Sequence, residues 1–292
     1  MPRLRTLSLL VVLLFLAGGC DGERASAPAP SMADPADAAA VVSSLEADVR
    51  AIVDLAPAER AKAELAFGPR LRRDLEVCRG TRYENKPLYL LAQWTLVHGR
   101  AEEVLPLLDR LDILPAPAYR NAGKAVRVAA LLRLGRLAEA RPIAVQLEAI
   151  MPEFGALRRV EFHETVGQPA PPLPGTVVSG GGDIADAAFI LLAFLGMPDA
   201  AAESWLLPLR DAGGERVRTV AIATAGDLLA ATTIASAWGV EVRWIRISDE
   251  SLTPWRLPVL PMAVLLGPGP KRVIVAVDPQ PEQLQRLAPR PR

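Results

Sequence analysis

Cysteine is nearly absent: Cys20 and Cys78 are the only two in 292 residues. A framework of several disulfides is excluded, and if either residue is spent elsewhere no intramolecular bridge remains. Histidine is as scarce. His98 and His163 are too few and too far apart to suggest a metal centre. Glu161-Phe162-His163-Glu164 holds local donors but reads as a solvated linker face. Aromatic residues make up 5% of the chain, so the 51% apolar content is mostly alanine and leucine. Charge of either sign is lacking in excess, with 33 basic and 33 acidic residues. Nothing neutralises a run of phosphates, which excludes a nucleic-acid partner on electrostatic grounds. No polybasic cluster addresses lipid headgroups. Gly180-Gly181-Gly182 and Gly267-Pro268-Gly269-Pro270 lack the strand, helix and lysine of a phosphate loop and read as turns. No Ser/His/Asp arrangement is evident, and neither a cofactor nor a metal is expected.

What is present begins at the N-terminus. Arg3 and Arg5 precede a mostly apolar run from Leu7 to Ala17, followed by Gly18, Gly19 and Cys20. A charged start, a short apolar stretch and small residues are the three parts of an export signal. About 11 residues is short for a permanent span, which needs roughly 20 in a helix. Leu16-Ala17-Gly18-Gly19-Cys20 resembles the lipobox of bacterial lipoproteins, with Ala17 where leucine is most usual. The resemblance implies cleavage after residue 19, lipidation of Cys20 and anchoring to a bacterial membrane on its periplasmic or extracytoplasmic side. Two or more acyl chains make such anchoring stable, at about 0.8 kcal/mol per buried methylene. Removing residues 1–19 takes away two arginines and no acid, leaving 31 basic and 33 acidic residues.

Residues 20–37 are rich in alanine, proline, serine and aspartate and read as a stalk unable to bury enough apolar surface to order itself. From 38 to 160 the pattern is helical. Val41, Leu45, Val49, Val53 and Leu55 form an amphipathic stripe. Pro57-Ala58-Glu59 suits the first turn of a second helix running to about Val77, with Gly68-Pro69 expected to break it. Gly99-Arg100-Ala101-Glu102-Glu103-Val104-Leu105-Pro106 then aligns with Gly135-Arg136-Leu137-Ala138-Glu139-Ala140-Arg141-Pro142 at an offset of 36 residues. Leu96 pairs with Leu132, Trp94 with Ala130 and Leu111 with Leu147. Leu131-Leu132-Arg133-Leu134-Gly135-Arg136-Leu137-Ala138-Glu139-Ala140 resembles the core of the tetratricopeptide repeat, with Val104 in the first unit where the second has Ala140. Roughly three stacked hairpins are needed for stability, so residues 38–80 have to supply one.

After the Pro- and Gly-rich stretch 167–182 the pattern turns to α/β. Strands are expected over Phe189–Leu195, Arg216–Ala223, Val240–Ile247, Ala263–Leu266 and Arg272–Val277. Helices are expected over Ala200–Asp211, Asp227–Trp238 and Glu282–Leu287. Gly167-Gln168-Pro169-Ala170-Pro171, Trp238-Gly239-Val240 and Leu260-Pro261-Met262-Ala263-Val264-Leu265-Leu266 resemble, in order, motifs of thioredoxin-like domains in membrane-anchored disulfide reductases and peroxiredoxins. The fold class expected is therefore a helical-hairpin, tetratricopeptide-like array followed at 161–292 by a thioredoxin-like α/β sandwich domain.

The chemistry of that family needs a thiolate after the central strand, at a helix N-terminus that lowers its pKa. Here the stretch reads Gly196-Met197-Pro198-Asp199-Ala200, with no Cys, Ser or Thr. Asp199 reads as an N-cap and Cys78 as a buried packing residue. A dithiol cycle is excluded. The expectation is a lipid-anchored, non-enzymatic scaffold for an envelope protein partner. Its peptide-binding residues would be Pro261 and the loop Gly196, Met197, Pro198 and Asp199. The alternatives are displaced redox chemistry through Cys78, or a small-ligand-binding α/β module.

Overall fold

The structure is a computed structural model. It describes residues 35–55, 57–98, 100–115, 117–179, 187–195, 200–223, 237–245, 250–257, 261–269 and 271–287. The chain forms two compact units, one ending at Leu157 and the other beginning at Arg158. The expected signal, Cys20 and residues 196–199 lie outside the described residues.

Six helices build the first unit: α1 Pro35–Asp54, α2 Pro57–Cys78, α3 Asn85–His98, α4 Ala101–Ile113, α5 Pro117–Arg133 and α6 Leu137–Ile150. Prolines open α1, α2 and α5, where a missing N–H costs nothing because it would be orphaned anyway. Hence α1 takes in the last three residues of the expected stalk. Each helix packs on the next, and α3 also packs on α5, as in stacked hairpins. The 36-residue repeat is therefore real in space. Val104 and Ala140 are equivalent and both fully buried, as are Leu111 and Leu147. The turn of the second unit shows why glycine stands there. Gly135 takes φ +69°, its N–H donates to the Leu132 carbonyl, and the Arg136 N–H reaches back to Leu131 at 2.8 Å. These are the two hydrogen bonds that close a Schellman helix end.

Gly68-Pro69 does not break α2, contrary to the expectation above. Pro69 lies on the exposed side, one turn after exposed Leu65, so the carbonyl deprived of its donor can meet water. Gly68 serves packing instead. A Cβ there would stand 2.3 Å from the Trp94 ring, a distance that real side chains do not tolerate. Trp94 Nε1 donates to the Glu64 carbonyl at 2.6 Å, tying α3 to α2. Glu84 fixes the intervening loop: its carboxylate accepts from the Gly80 N–H at 2.6 Å and pairs with Arg110 of α4 at 2.5 Å.

The second unit opens with α7, Ala156–His163, whose Phe162 is buried in the sheet's core. The stretch 161–164 is thus mostly helix rather than solvated linker. The sheet comprises β1 Thr176–Ser179, β2 Phe189–Leu195, β3 Val217–Ala223, β4 Glu241–Trp244, β5 Met262–Leu266 and β6 Ile274–Val277, in the order β1-β4-β3-β2-β5-β6. The three central strands β4, β3 and β2 are parallel, and β1, β5 and β6 are added antiparallel. Helix α8, Ala200–Gly213, links β2 to β3, and α9, Pro281–Gln285, follows β6. A βαβ half and a ββα half joined through one sheet constitute the thioredoxin-like arrangement.

Burial explains the strand β2, Phe-Ile-Leu-Leu-Ala-Phe-Leu. Ile190, Leu192 and Phe194 face a core with Phe162 and Trp255. Ala193 and Leu195 face Ala202 and Leu206 of α8 together with Trp238. A strand covered on both faces reads as a continuous apolar run. The Gly167–Ala170 motif does not lead directly into a strand but pairs with the chain entering β6. Its Gly167 and Ala170 amides donate to the carbonyls of Ile274 and Arg272, and Ile274 donates back to Gln168.

Replacing Gly68 by alanine should lower stability by about 1–3 kcal/mol through overpacking against Trp94. Urea denaturation of the purified protein checks this.

Candidate functional site

The parallel strands place their C-terminal ends at one edge of the sheet, the usual position of a binding crevice in open α/β folds. β2 ends there at Leu195. Because Phe194 pairs with Met262 across the antiparallel β2–β5 contact, β5 begins at the same edge. Pro261, exposed and immediately before β5, therefore stands beside the end of β2. Gly196, Met197, Pro198 and Asp199 continue the chain from β2 but lie outside the described residues.

Asp278, which sequence reasoning missed, braces this edge. It ends β6 with φ +45°, a left-handed conformation uncommon for a residue with a side chain. Its Oδ1 accepts from the Ala263 N–H at 3.0 Å, and its own N–H donates to the Ala263 carbonyl at 2.8 Å. Gln280 Nε2 donates to the Asp278 carbonyl at 3.1 Å, while the Gln280 N–H donates to Gln283 Oε1 at 2.9 Å in a capping box at the start of α9. The start of β5, two residues after Pro261, is thus held by side chain and backbone together. The only signal in the sequence was Asp-Pro following an apolar run, a turn signature without a role attached.

Charged groups of α7 belong to the same neighbourhood. Burial pushes the pKa of the Arg159 guanidinium below its ordinary value, and the Asp278 charge opposes that shift. His163, one turn further along α7, is pushed down to about 4 by burial and then by the Arg159 charge. An imidazole so placed is neutral at physiological pH and a weak base, ill suited to activating a nucleophile. Among the described residues no group of three His, Cys, Asp or Glu side chains could hold a metal ion.

The second cysteine belongs to the helical unit. Cys78 closes α2 in the helical unit and is free and fully buried. Its Sγ lies 3.8 Å from the Ala38 carbonyl of α1. Burial, with the nearby Asp74 and Glu84 charges, pushes its thiol up to about 11. The thiolate is the reactive form, so this cysteine is inert in the folded protein. With two cysteines and no Cys-x-x-Cys, the chain has no dithiol centre. Among the described residues this edge presents the exposed Pro261 and the backbone braced by Asp278.

Cys78 should resist alkylation by a maleimide in the native protein and react within minutes once urea unfolds it. Mass spectrometry of the two samples distinguishes these outcomes.

No protein-family model matches the sequence, and no curated protein matches it either. Among solved structures, a thioredoxin-like protein from Parabacteroides distasonis is similar at 17% identity and a TM-score of 0.33, covering 41% of this chain and 92% of the other. A thiol-disulfide oxidoreductase from Bacteroides fragilis is similar at 22% identity and a TM-score of 0.28, over 36% of this chain and 82% of the other. A thioredoxin-like protein from Bacteroides caccae aligns over 79% of this chain and 83% of its own, at 13% identity and a TM-score of 0.33.

Proposed function

We propose that this chain is a lipid-anchored envelope protein whose thioredoxin-like domain has no thiol chemistry and serves, with the helical array, to dock another protein. The observation that carries this reading is the end of β2. The fold delivers the chain to the position where a reductase needs its thiolate, and the sequence that follows, Gly196-Met197-Pro198-Asp199, contains no sulfur nucleophile. Redox chemistry displaced to Cys78 is disfavoured by that thiol's complete burial and its pKa of about 11. What remains usable is the crevice edge beside Pro261, braced by Asp278, where an extended peptide can pair with backbone. Stacked hairpins add a second surface of the kind that recognises protein segments.

The anchor rests on Cys20 and its preceding small residues. Among the described residues no helix is long and apolar enough to cross a membrane. A lipidated Cys20 followed by an Ala- and Pro-rich tether to α1 would hold both units at the membrane surface, facing the periplasm or extracytoplasmic space.

Both parts of the proposal are tested in membranes of cells expressing the chain. Metabolic labelling should place palmitate on the protein and lose it in Cys20→Ser. A photo-crosslinking residue at position 261 should capture a discrete protein adduct. Absence of label, or a smear indistinguishable from a crosslinker on an exposed helix, would count decisively against it.

A further inference from the structure

Between the first hairpin and α3 lies an acid–imidazole pair that docking leaves unused. Glu64 Oε2 stands 3.9 Å from His98 Nε2. Glu64 Oε1 and His98 Nε2 are both shut off from solvent, and neither has a hydrogen-bond partner. Their positions are well defined. The His98 ring centroid lies 5.3 Å from that of Trp94, whose indole N–H is bonded to the Glu64 carbonyl and admitted by Gly68. The charged groups around the pair come from three neighbouring helices. On α2, Arg60 acts on Glu64 and the Arg72 guanidinium lies over the Trp94 ring at 5.4 Å. On α5, Arg133 donates to the Leu96 carbonyl. At the start of α4, Arg100 and Glu102 face each other at 4.0 Å on the surface.

A carboxylate offers only acceptors, and so does the bare nitrogen of a neutral imidazole. With its one N–H on Nδ1, the imidazole turns a bare Nε2 toward the carboxylate; two acceptors then face each other in a buried seam, and leaving both unsatisfied is costly. One proton supplies what both lack. We propose that Glu64 and His98 hold a single proton between them and that this proton latches α2 to α3, protonated Glu64 donating an O–H···N bond to His98 Nε2. When solvent takes the proton, two acceptors face each other again and the seam loosens.

The electrostatics agree with this placement. Burial raises the Glu64 pKa, with Arg60 opposing, and burial lowers that of His98. The proton therefore rests on the acid, and the imidazole remains the acceptor. A group whose folded pKa is raised gives stability present at low pH and lost as pH rises through the folded value. The latch is accordingly closed in acid and released as pH climbs past the elevated Glu64 pKa. Because α1 and α2 form the hairpin next to the tether, the seam separates that end of the array from the rest.

Hydrogen exchange of the mature full-length protein in detergent micelles, followed from pH 5 to 8 and corrected for intrinsic rates, tests this. Amides near 64–68 and 94–98 should lose protection with rising pH, about tenfold for each unit by which the Glu64 pKa is raised. In Glu64→Gln the amide N–H replaces the acid's donor, so protection should stay at its low-pH level throughout. The same pH trend in wild type and Glu64→Gln, or no trend in wild type, overturns the proposal. Should the variant fail to fold, nitrogen NMR of wild-type His98 decides: a bare, accepting Nε2 at low pH supports the latch, whereas an Nε2–H tautomer or an imidazolium there overturns it.

Discussion

Everything in the sheet unit hangs on β2. Seven residues, paired along one side with parallel β3 and along the other with antiparallel β5, divide the unit into two apolar cores. Each buried large side chain contributes roughly 1.5–3 kcal/mol relative to exposure, and β2 places such groups alternately in both cores. Charge or polarity in this strand would be left without a partner. The same burial dictates function, because the strand's fixed register carries the chain to one defined point at the crevice edge. What stands at that point decides whether the fold does thiol chemistry. Here it is Gly-Met-Pro-Asp.

The helical unit is organised by a comparable necessity on a smaller scale. Trp94 needs a floor, and Gly68 supplies it by having no side chain. The same indole then fixes Glu64 and His98 within reach of each other. Gly68 and Glu64, the acid of the titratable pair, thus share one turn of α2. Cys78, at the far end of that helix, is enclosed under α1 and has no access to chemistry.

Much of this was legible from sequence because it rests on periodicity. The helical stripes, the 36-residue repeat and the double-faced apolar strands β2 and β3 announce themselves locally. Pro261 was singled out by a motif as a peptide-binding residue; the β2–β5 register fixes only that it precedes β5 next to the end of β2. What escaped depends on contacts between distant segments. Thr176–Ser179 is a strand only because β4 lies beside it, and four residues after a Pro-rich stretch carry no alternation to detect. Strand β4 is Glu241–Trp244, and of the run to Ile247 that its composition suggested, 246–247 lie outside the described residues. Gly68-Pro69 looks like a helix breaker until Trp94 is seen against it. Asp278 and the Glu64–His98 pair take their roles from partners far away in the chain, which no local pattern reveals.

The central claim is that a thioredoxin-like fold operates here without sulfur chemistry. The most direct test is acid-quenching of membranes from growing cells, followed by mass spectrometry for disulfides involving Cys78. Cys78 should be recovered as a free thiol, with no mixed disulfide to any other protein. A reproducible mixed disulfide between Cys78 and a specific partner would contradict it.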